Sequence, residues 1–264
     1  MKRELVTATA LGRDVPVRIF RPGGHCRGVI LDFHGGGWTI GNARMSDRQN
    51  AKLAAETAAT VVSVDYRLAT SIPIDAQVDD CEAATLWVVA NLEPKFGTRR
   101  LVIKASSAGA HLAACMLLRL RDRGTIERID GSVLYYGLYD FSGTDMVRVA
   151  GPKTLLLDAP TVRETLCLLT PGMTDEQRRD PSISPIYGDL HGLPPVLFVV
   201  GAEDMLLEDS RVMAARWQAA SGNSDLLIAP VSPHAFVKFD TAIAAKTKAF
   251  VQDWIERRLD QRVS

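Results

Sequence analysis

Ser107, Asp204 and His234 occur in a chain order that can make a weak oxygen nucleophile reactive. A serine hydroxyl attacks a carbonyl carbon only when a base takes its proton, and that base needs an acid to orient it. Ser107 stands in Ala105-Ser106-Ser107-Ala108-Gly109, between the apolar run 101–103 and a helical pattern carrying Leu112, Cys115, Met116, Leu118 and Leu120. A strand, a turn of tiny residues and a helix in succession form a nucleophile elbow, whose serine sits on a sharp, strained turn. The residues two before and two after such a serine must be small. Ala105 and Gly109 meet this for Ser107, whereas Ser106 would place Lys104 in the tight position. Ser107 is the candidate nucleophile.

Five histidines compete for the role of base. His25, in a Gly-rich connection, and His191, ahead of Pro194-Pro195, read as solvated loop residues. His111 lies one turn into the elbow helix and is too tied to it to swing toward Ser107. His34 opens the run His34-Gly35-Gly36-Gly37-Trp38, where its expected role is to fix that loop through hydrogen bonds. His234 remains, in a loop between a β-prone run and a C-terminal helix, and the order serine, acid, histidine selects it. The acid should end a buried strand ahead of His234. The run 195–201 is the most apolar strand candidate, and Gly201-Ala202-Glu203-Asp204 continues from its end. Asp204 is the expected acid and Glu203 its nearest competitor; Glu208 and Asp209 read as the acidic first turn of a helix.

The elements that must position these residues are legible as alternating β-prone runs and helical patterns. That alternation predicts an α/β fold with a mostly parallel central sheet and helices on both faces. An antiparallel pair, 5–10 and 15–20, opens the chain around Gly12-Arg13-Asp14. Strands at 29–33, 60–66, 101–105, 132–136, 195–201 and 226–229 follow, with helices at 46–58 and 76–91. The second helix would show Val78, Ala83, Leu86, Trp87 and Ala90 on one side. Gly35, Gly36 and Gly37 directly follow the strand 29–33. Three glycines lose much backbone entropy and supply no side chain to pack. Such a run suits a place where bare N–H groups approach a ligand beyond the carboxyl edge of the sheet.

The stretch from Leu138 to Gly188 breaks the alternation. It holds Gly143, Gly151-Pro152, a helical pattern around 162–169, Pro171-Gly172 and Pro181, too long for a strand-to-helix turn. The clusters 155–157 and 166–169 are leucine-rich, which argues against disorder. The chain is read as a single domain over 1–264 with this stretch, about 138–188, as a small cap-like insertion over the crevice.

Composition limits the alternatives. The chain has 264 residues, 47% hydrophobic and 23% charged, with 31 basic and 31 acidic side chains. That length supports one core burying roughly three quarters of the unfolded surface. No basic stripe points to nucleic acid, and no amphipathic basic helix or long apolar stretch points to a membrane. No apolar segment follows Met1-Lys2-Arg3-Glu4, so no signal peptide is expected. Cys26, Cys81, Cys115 and Cys167 show no paired spacing and read as free thiols of a reducing cytosol, giving a cytoplasmic expectation. No metal-ligand cluster and no dinucleotide fingerprint occurs, so no cofactor is expected. Trp87, Trp217 and Trp254 read as core anchors.

Six segments together resemble the α/β-hydrolase fold, and within it the hormone-sensitive-lipase-like esterases near the bacterial acetyl esterases and carboxylesterases. They are 34–38, Val64-Asp65-Tyr66-Arg67-Leu68-Ala69, Val78-Asp79-Asp80-Cys81, the elbow, Gly201 to Leu206, and His234-Ala235-Phe236. The resemblance implies a serine hydrolase cleaving short acyl esters through an acyl-enzyme, with the triad Ser107, Asp204 and His234. It also implies oxyanion N–H donors from Gly35, Gly36 and Gly37, joined by the N–H of Ala108. Three departures stand out. Ala105 and Ser106 replace the usual glycine and acid of the elbow, and Thr70-Ser71 replace Pro-Glu. The strand-like run at 5–10 also begins almost at once, where relatives carry a helical lid, so part of that lid is expected to be missing.

The resemblance leaves other readings open. An amidase such as an aryl formamidase shares the glycine loop and elbow, and motifs barely separate ester from amide cleavage. A non-catalytic receptor like the plant gibberellin receptors lacks the catalytic histidine, and His234 argues against it. The expected partner is a small ester, and a homodimer formed along the edge strand near Leu226 to Ala229 would shield the site.

Overall fold

The computed structural model describes residues 3–149 and 155–260. Gly151-Pro152 and the first two residues of Met1-Lys2-Arg3-Glu4 lie outside them. Among the described residues eight strands form one sheet in the order β1-β2-β4-β3-β5-β6-β7-β8. They are β1 Arg3–Ala10, β2 Arg13–Phe20, β3 Val29–Phe33, β4 Thr60–Val64, β5 Leu101–Ser106, β6 Gly131–Tyr135, β7 Val196–Gly201 and β8 Ser224–Ala229. β1, β2 and β4 pair antiparallel, and every pairing from β4 to β8 is parallel. β3, β4, β6 and β7 are buried along their whole length, as strands covered on both faces must be. The opening hairpin turns at Leu11-Gly12, both at positive φ, one residue earlier than the sequence suggests.

Helices α1 Asp47–Thr57, α2 Ile74–Phe96, α3 Ala108–Asp122, α7 Leu207–Ser221 and α8 Ala242–Asp260 cover the sheet. α2 exceeds its expected span at both ends. It starts after Pro73 and runs through Pro94 until Gly97, in the left-handed conformation, accepts the chain at its end. Its buried side carries Val78, Cys81, Ala84, Val88 and Leu92, while Ala90, expected on the apolar side, faces solvent. Trp217 and Trp254 are buried, their indole N–H groups donating to Pro194 O and Asp225. Trp87 is half-buried against Phe96.

Between β6 and β7 the chain forms α4 Asp145–Val149, α5 Ala159–Leu169 and α6 Asp175–Arg178. Leu138, Tyr139 and Phe141 at one end and Ile183 and Ile186 at the other belong to the core. The leucine clusters split: Leu166 is buried, whereas Leu155, Leu156 and Leu168 are exposed. No helix among the described residues is long and apolar enough to cross a membrane.

One polar cluster sits inside the sheet. Asp32 of β3 accepts from Asn50 and Ser63 at 2.7 and 2.8 Å and pairs with Lys104 of β5. Burial would raise its pKa, but Lys104 and these donors outweigh burial and hold the carboxyl below its usual range. Lys104, half-buried, is thereby committed to Asp32 three residues ahead of the candidate nucleophile.

Candidate active site

β5 runs directly into the elbow. Ser106 ends the strand, Ser107 adopts φ 52° and ψ −121°, and α3 begins at Ala108. A non-glycine residue with φ in this region is strained and persists only where its surroundings fix it. Here Ser107 N–H donates to Tyr135 O at 2.9 Å, and Ser107 O accepts from the N–H groups of Ala110 and His111. Ala105, the departure from glycine in the elbow, is buried within β5 and keeps negative φ, so its Cβ needs no left-handed backbone.

The elbow and the glycine loop interlock. A Cβ on Gly109 would stand 2.4 Å from the carbonyl oxygens of both Phe33 and His34. A Cβ on Gly35 would stand 2.9 Å from Ser106 O. The small residues in both motifs let the end of β3 and the start of α3 touch, which brings the loop to the serine.

Ser107 Oγ lies 3.1 Å from His234 Nε2. On the other side of the ring, His234 Nδ1 lies 3.0 and 2.9 Å from the two carboxylate oxygens of Asp204. Asp204 is 0% exposed, and its Oδ1 also accepts from Leu206 N–H at 2.9 Å. Glu203 points to solvent and only its backbone N–H is engaged, on Ser232 O. His234 is also packed edge-on by Tyr136, with ring centroids 4.8 Å apart. Ser107, Asp204 and His234 thus meet in one hydrogen-bonded chain. Among the described residues no hydrogen bond joins Ser106 to His234.

The N–H groups of Gly35, Gly36, Gly37 and Ala108 have no hydrogen-bond acceptor among the described residues. Ala108 opens α3, where the first N–H groups lack intrahelical partners and carry the positive end of the helix dipole. Gly36 O is turned away, accepting from Thr39 and Ile40 N–H at 3.2 and 3.0 Å. His34 Nδ1–H donates to Gly35 O at 2.8 Å, and its ring stacks on Tyr66 with centroids 4.2 Å apart. Burial holds this imidazole below its usual pKa, favouring the neutral ring. Tyr66 OH donates to His34 O at 2.6 Å. Arg67 grips Asp80 through Nε and Nη2 at 2.8 and 2.7 Å. Gln77 donates to both Trp38 O and Arg67 O. The 64–69 and 78–81 segments therefore support the glycine loop from behind.

The remaining histidines fall elsewhere. His25 and His191 are exposed, and His191 pairs with Asp189. His111 is buried between Trp38 and Ile183. The sequence pattern assigns Glu208 and Asp209 only to a helix start. Both do lie in the first turn of α7, and they also hold the β6–β7 insertion. Glu208 accepts from Met146 N–H at 2.8 Å. Asp209 accepts from Tyr139 and Asp140 N–H at 2.7 and 3.0 Å and from the Thr144 hydroxyl. Nothing local in the sequence signals those partners, which lie more than sixty residues away.

The alpha/beta hydrolase fold family matches residues 30–238 of the chain. The carboxylesterase NlhH of Mycobacterium tuberculosis is 30% identical over 247 residues, covering 89% of this chain and 75% of that protein. A hyperthermophilic esterase from the archaeon Pyrobaculum calidifontis is similar with TM-score 0.89 at 27% identity, over 97% of this chain and 85% of that one. A hormone-sensitive lipase from a metagenome library is similar with TM-score 0.82 at 32% identity, over 97% and 86%.

Proposed function

Because the chain belongs to the alpha/beta hydrolase fold family and is a carboxylesterase-type hydrolase like the hormone-sensitive-lipase relatives it resembles, we propose that it cleaves short-chain acyl esters through Ser107, His234 and Asp204. The observation that carries this reading is the continuous chain from Ser107 Oγ through both ring nitrogens of His234 to the buried Asp204. Asp204 accepts from Nδ1–H, which leaves Nε2 free to take the serine proton.

Ser107 Oγ attacks the ester carbonyl carbon while its proton passes to His234 Nε2. The negative charge that collects on the carbonyl oxygen is met by the unpaired N–H groups of the Gly35–Gly37 segment and of Ala108. Losing one such donor in enzymes of this type costs about 3 kcal/mol in the barrier. His234 then protonates the leaving alcohol oxygen as its bond to carbon breaks. Water attacks the acyl-enzyme with His234 again as base, and the carboxylic acid leaves as Ser107 regains its proton. His34 holds the loop that presents the donors. The insertion at about 138–188 acts as a cap over this crevice.

Bulky buried side chains on both arms of the site favour a shallow acyl side. Trp38 and Phe141 pack beside the glycine loop and Tyr136 against His234. Ser107→Ala is expected to abolish turnover of p-nitrophenyl acetate and covalent labelling by an organophosphate. Retention of both, with Ser106 intact, would move the nucleophile elsewhere. Side-by-side turnover of an acyl ester and N-formylkynurenine separates an esterase from an aryl formamidase.

A further inference from the structure

His111 is one helical turn beyond Ser107 on α3, and its own N–H donates to Ser107 O at 3.2 Å. The imidazole is buried, and both of its nitrogens are used. Trp38 Nε1–H donates to His111 Nδ1 at 3.1 Å. An indole nitrogen can only donate, so Nδ1 must be the acceptor and the ring proton sits on Nε2. Nε2–H accordingly donates to Ile183 O at 2.6 Å. Phe141 closes the cluster, its ring centroid 4.7 Å from His111 and 5.2 Å from Trp38.

Trp38 directly follows Gly37 and sits at φ 61°. Its carbonyl is held by Ala69 N–H at 2.8 Å and by Gln77 Nε2 at 2.9 Å. Among the described residues its indole bond to His111 is the one side-chain hydrogen bond between Trp38 and the helix that carries the nucleophile. The donors of an oxyanion site act on an atom bonded to the carbon that the serine attacks. Their placement relative to the serine therefore decides how much of the developing charge they meet, and a displacement near 1 Å can cost about a hundredfold.

We propose that His111 is a positioning residue that fixes the glycine loop relative to Ser107 by bonding Trp38 to the elbow helix, with Ile183 of the returning insertion setting its tautomer. The proposal rests on the oxyanion reading of Gly35–Gly37 given above. It also joins three separate parts of the chain at one ring: the loop after β3, the helix after β5 and the segment ahead of β7. Burial keeps that ring neutral, which the Trp38 bond requires.

The test is a double-mutant cycle on Trp38→Phe and His111→Leu, with His111→Gln as the conservative variant. Trp38→Phe keeps an aromatic ring and removes the N–H, so it is the variant least able to disturb folding. Each single change is expected to lower kcat for p-nitrophenyl acetate about tenfold with KM within about twofold, the size of one hydrogen bond. Affinity for a trifluoromethyl ketone, whose hemiketal oxyanion occupies the same donors, should weaken in parallel. The double variant should lose no more than the worse single one, because both remove the same bond. His111→Gln, which still offers an acceptor and a donor, should recover activity to within about threefold. Losses that multiply in the double variant, while Ser107 still labels with an organophosphate, would overturn the inference alone. So would a lowered Tm with unchanged kcat. A lowered kcat with unchanged ketone affinity would overturn the oxyanion reading of the loop, and this inference with it.

Discussion

Gly201 and Ser232 stand so close that a Cβ on Gly201 would lie 2.0 Å from the Ser232 carbonyl oxygen. The same carbonyl accepts from Glu203 N–H at 3.0 Å. The end of β7, which leads to Asp204, is thus clamped onto the turn that leads to His234. Gly201→Ala must push these two turns apart, and overpacking of this kind costs about 1–3 kcal/mol or more. We expect a lower Tm by circular dichroism and a kcat reduced at least about tenfold. Wild-type values for both would show that the clamp does not set the spacing of acid and base.

Asp209 is buried, and burial raises its carboxyl to about 7 although Tyr139 and Asp140 N–H and the Thr144 hydroxyl favour the charged form. Its folded pKa exceeds the unfolded value, so the folded state holds its proton longer as pH rises. Stability from this group is therefore lost as pH rises from about 4 to about 7, by up to about 4 kcal/mol. Asp209→Asn keeps the acceptor for the two N–H groups and cannot ionise. Its Tm should exceed that of the wild type at pH 8, and the gap should close near pH 4. A gap independent of pH would mean that the carboxyl is charged throughout.

His111 carries the opposite slope. Burial lowers its imidazole to about 4, and the Ile183 carbonyl only partly restores it. Its unfolded pKa near 6.5 lies higher, so stability is lost as pH falls from about 6.5 to about 4, by about 3 kcal/mol. Asp209 and His111 oppose each other over the shared window, and a pH–Tm profile of the wild type should be flatter there than that of either single variant. His111→Gln should therefore leave a profile that falls with rising pH, and Asp209→Asn one that falls with falling pH. Parallel profiles in all three proteins would remove both assignments.

The parts legible in the sequence were those governed by local chemistry. The elbow showed itself because Ala105 and Gly109 must be small around a strained serine, and the glycine run because, paired with that elbow at a strand end, its cost suits a close approach of bare N–H groups to a ligand better than a flexible turn. Asp204 could be favoured over Glu203 because it ends the most apolar strand, yet its separation from Glu203 rests on which side chain turns inward. The long-range ties were not legible. Asp209 on Tyr139 and Asp140, and His111 between Trp38 and Ile183, depend on tertiary contacts that carry no periodic signal. Ala90 was misplaced for a related reason: α2 packs on the sheet and on α3 along a face that its sequence pattern alone does not single out.

Among the described residues β8 pairs only with β7, and Leu226 and Ile228 on it are exposed. An edge strand with open backbone groups and apolar side chains is a template for another strand. We expect a second copy of the chain to pair there, so that Ile228→Lys shifts gel-filtration elution from dimer to monomer. A monomeric wild type at micromolar concentration would show that β8 stays unpaired.

The proposed acyl preference rests on the buried rings packed against the residues of the candidate site. Trp38 and Tyr136 are buried, and each is held by a neighbour already in place, Trp38 by His111 and Phe141 and Tyr136 by His234. Moving either ring aside to admit a long chain would break packing worth several kcal/mol. An acetyl or butyryl group needs no such movement, whereas an octanoyl chain would have to run out along the surface, where added methylenes gain little burial. kcat/KM for p-nitrophenyl esters should therefore be highest at acetyl to butyryl and fall by about tenfold or more at octanoyl and palmitoyl. Trp38→Ala would open the crowded arm and should shift the optimum toward longer chains, with kcat lowered because the loop also loses its tie to His111. An optimum at octanoyl or longer in the wild type would mean that the segment between β6 and β7 shapes a deep acyl channel, and the shallow-site reading would fall.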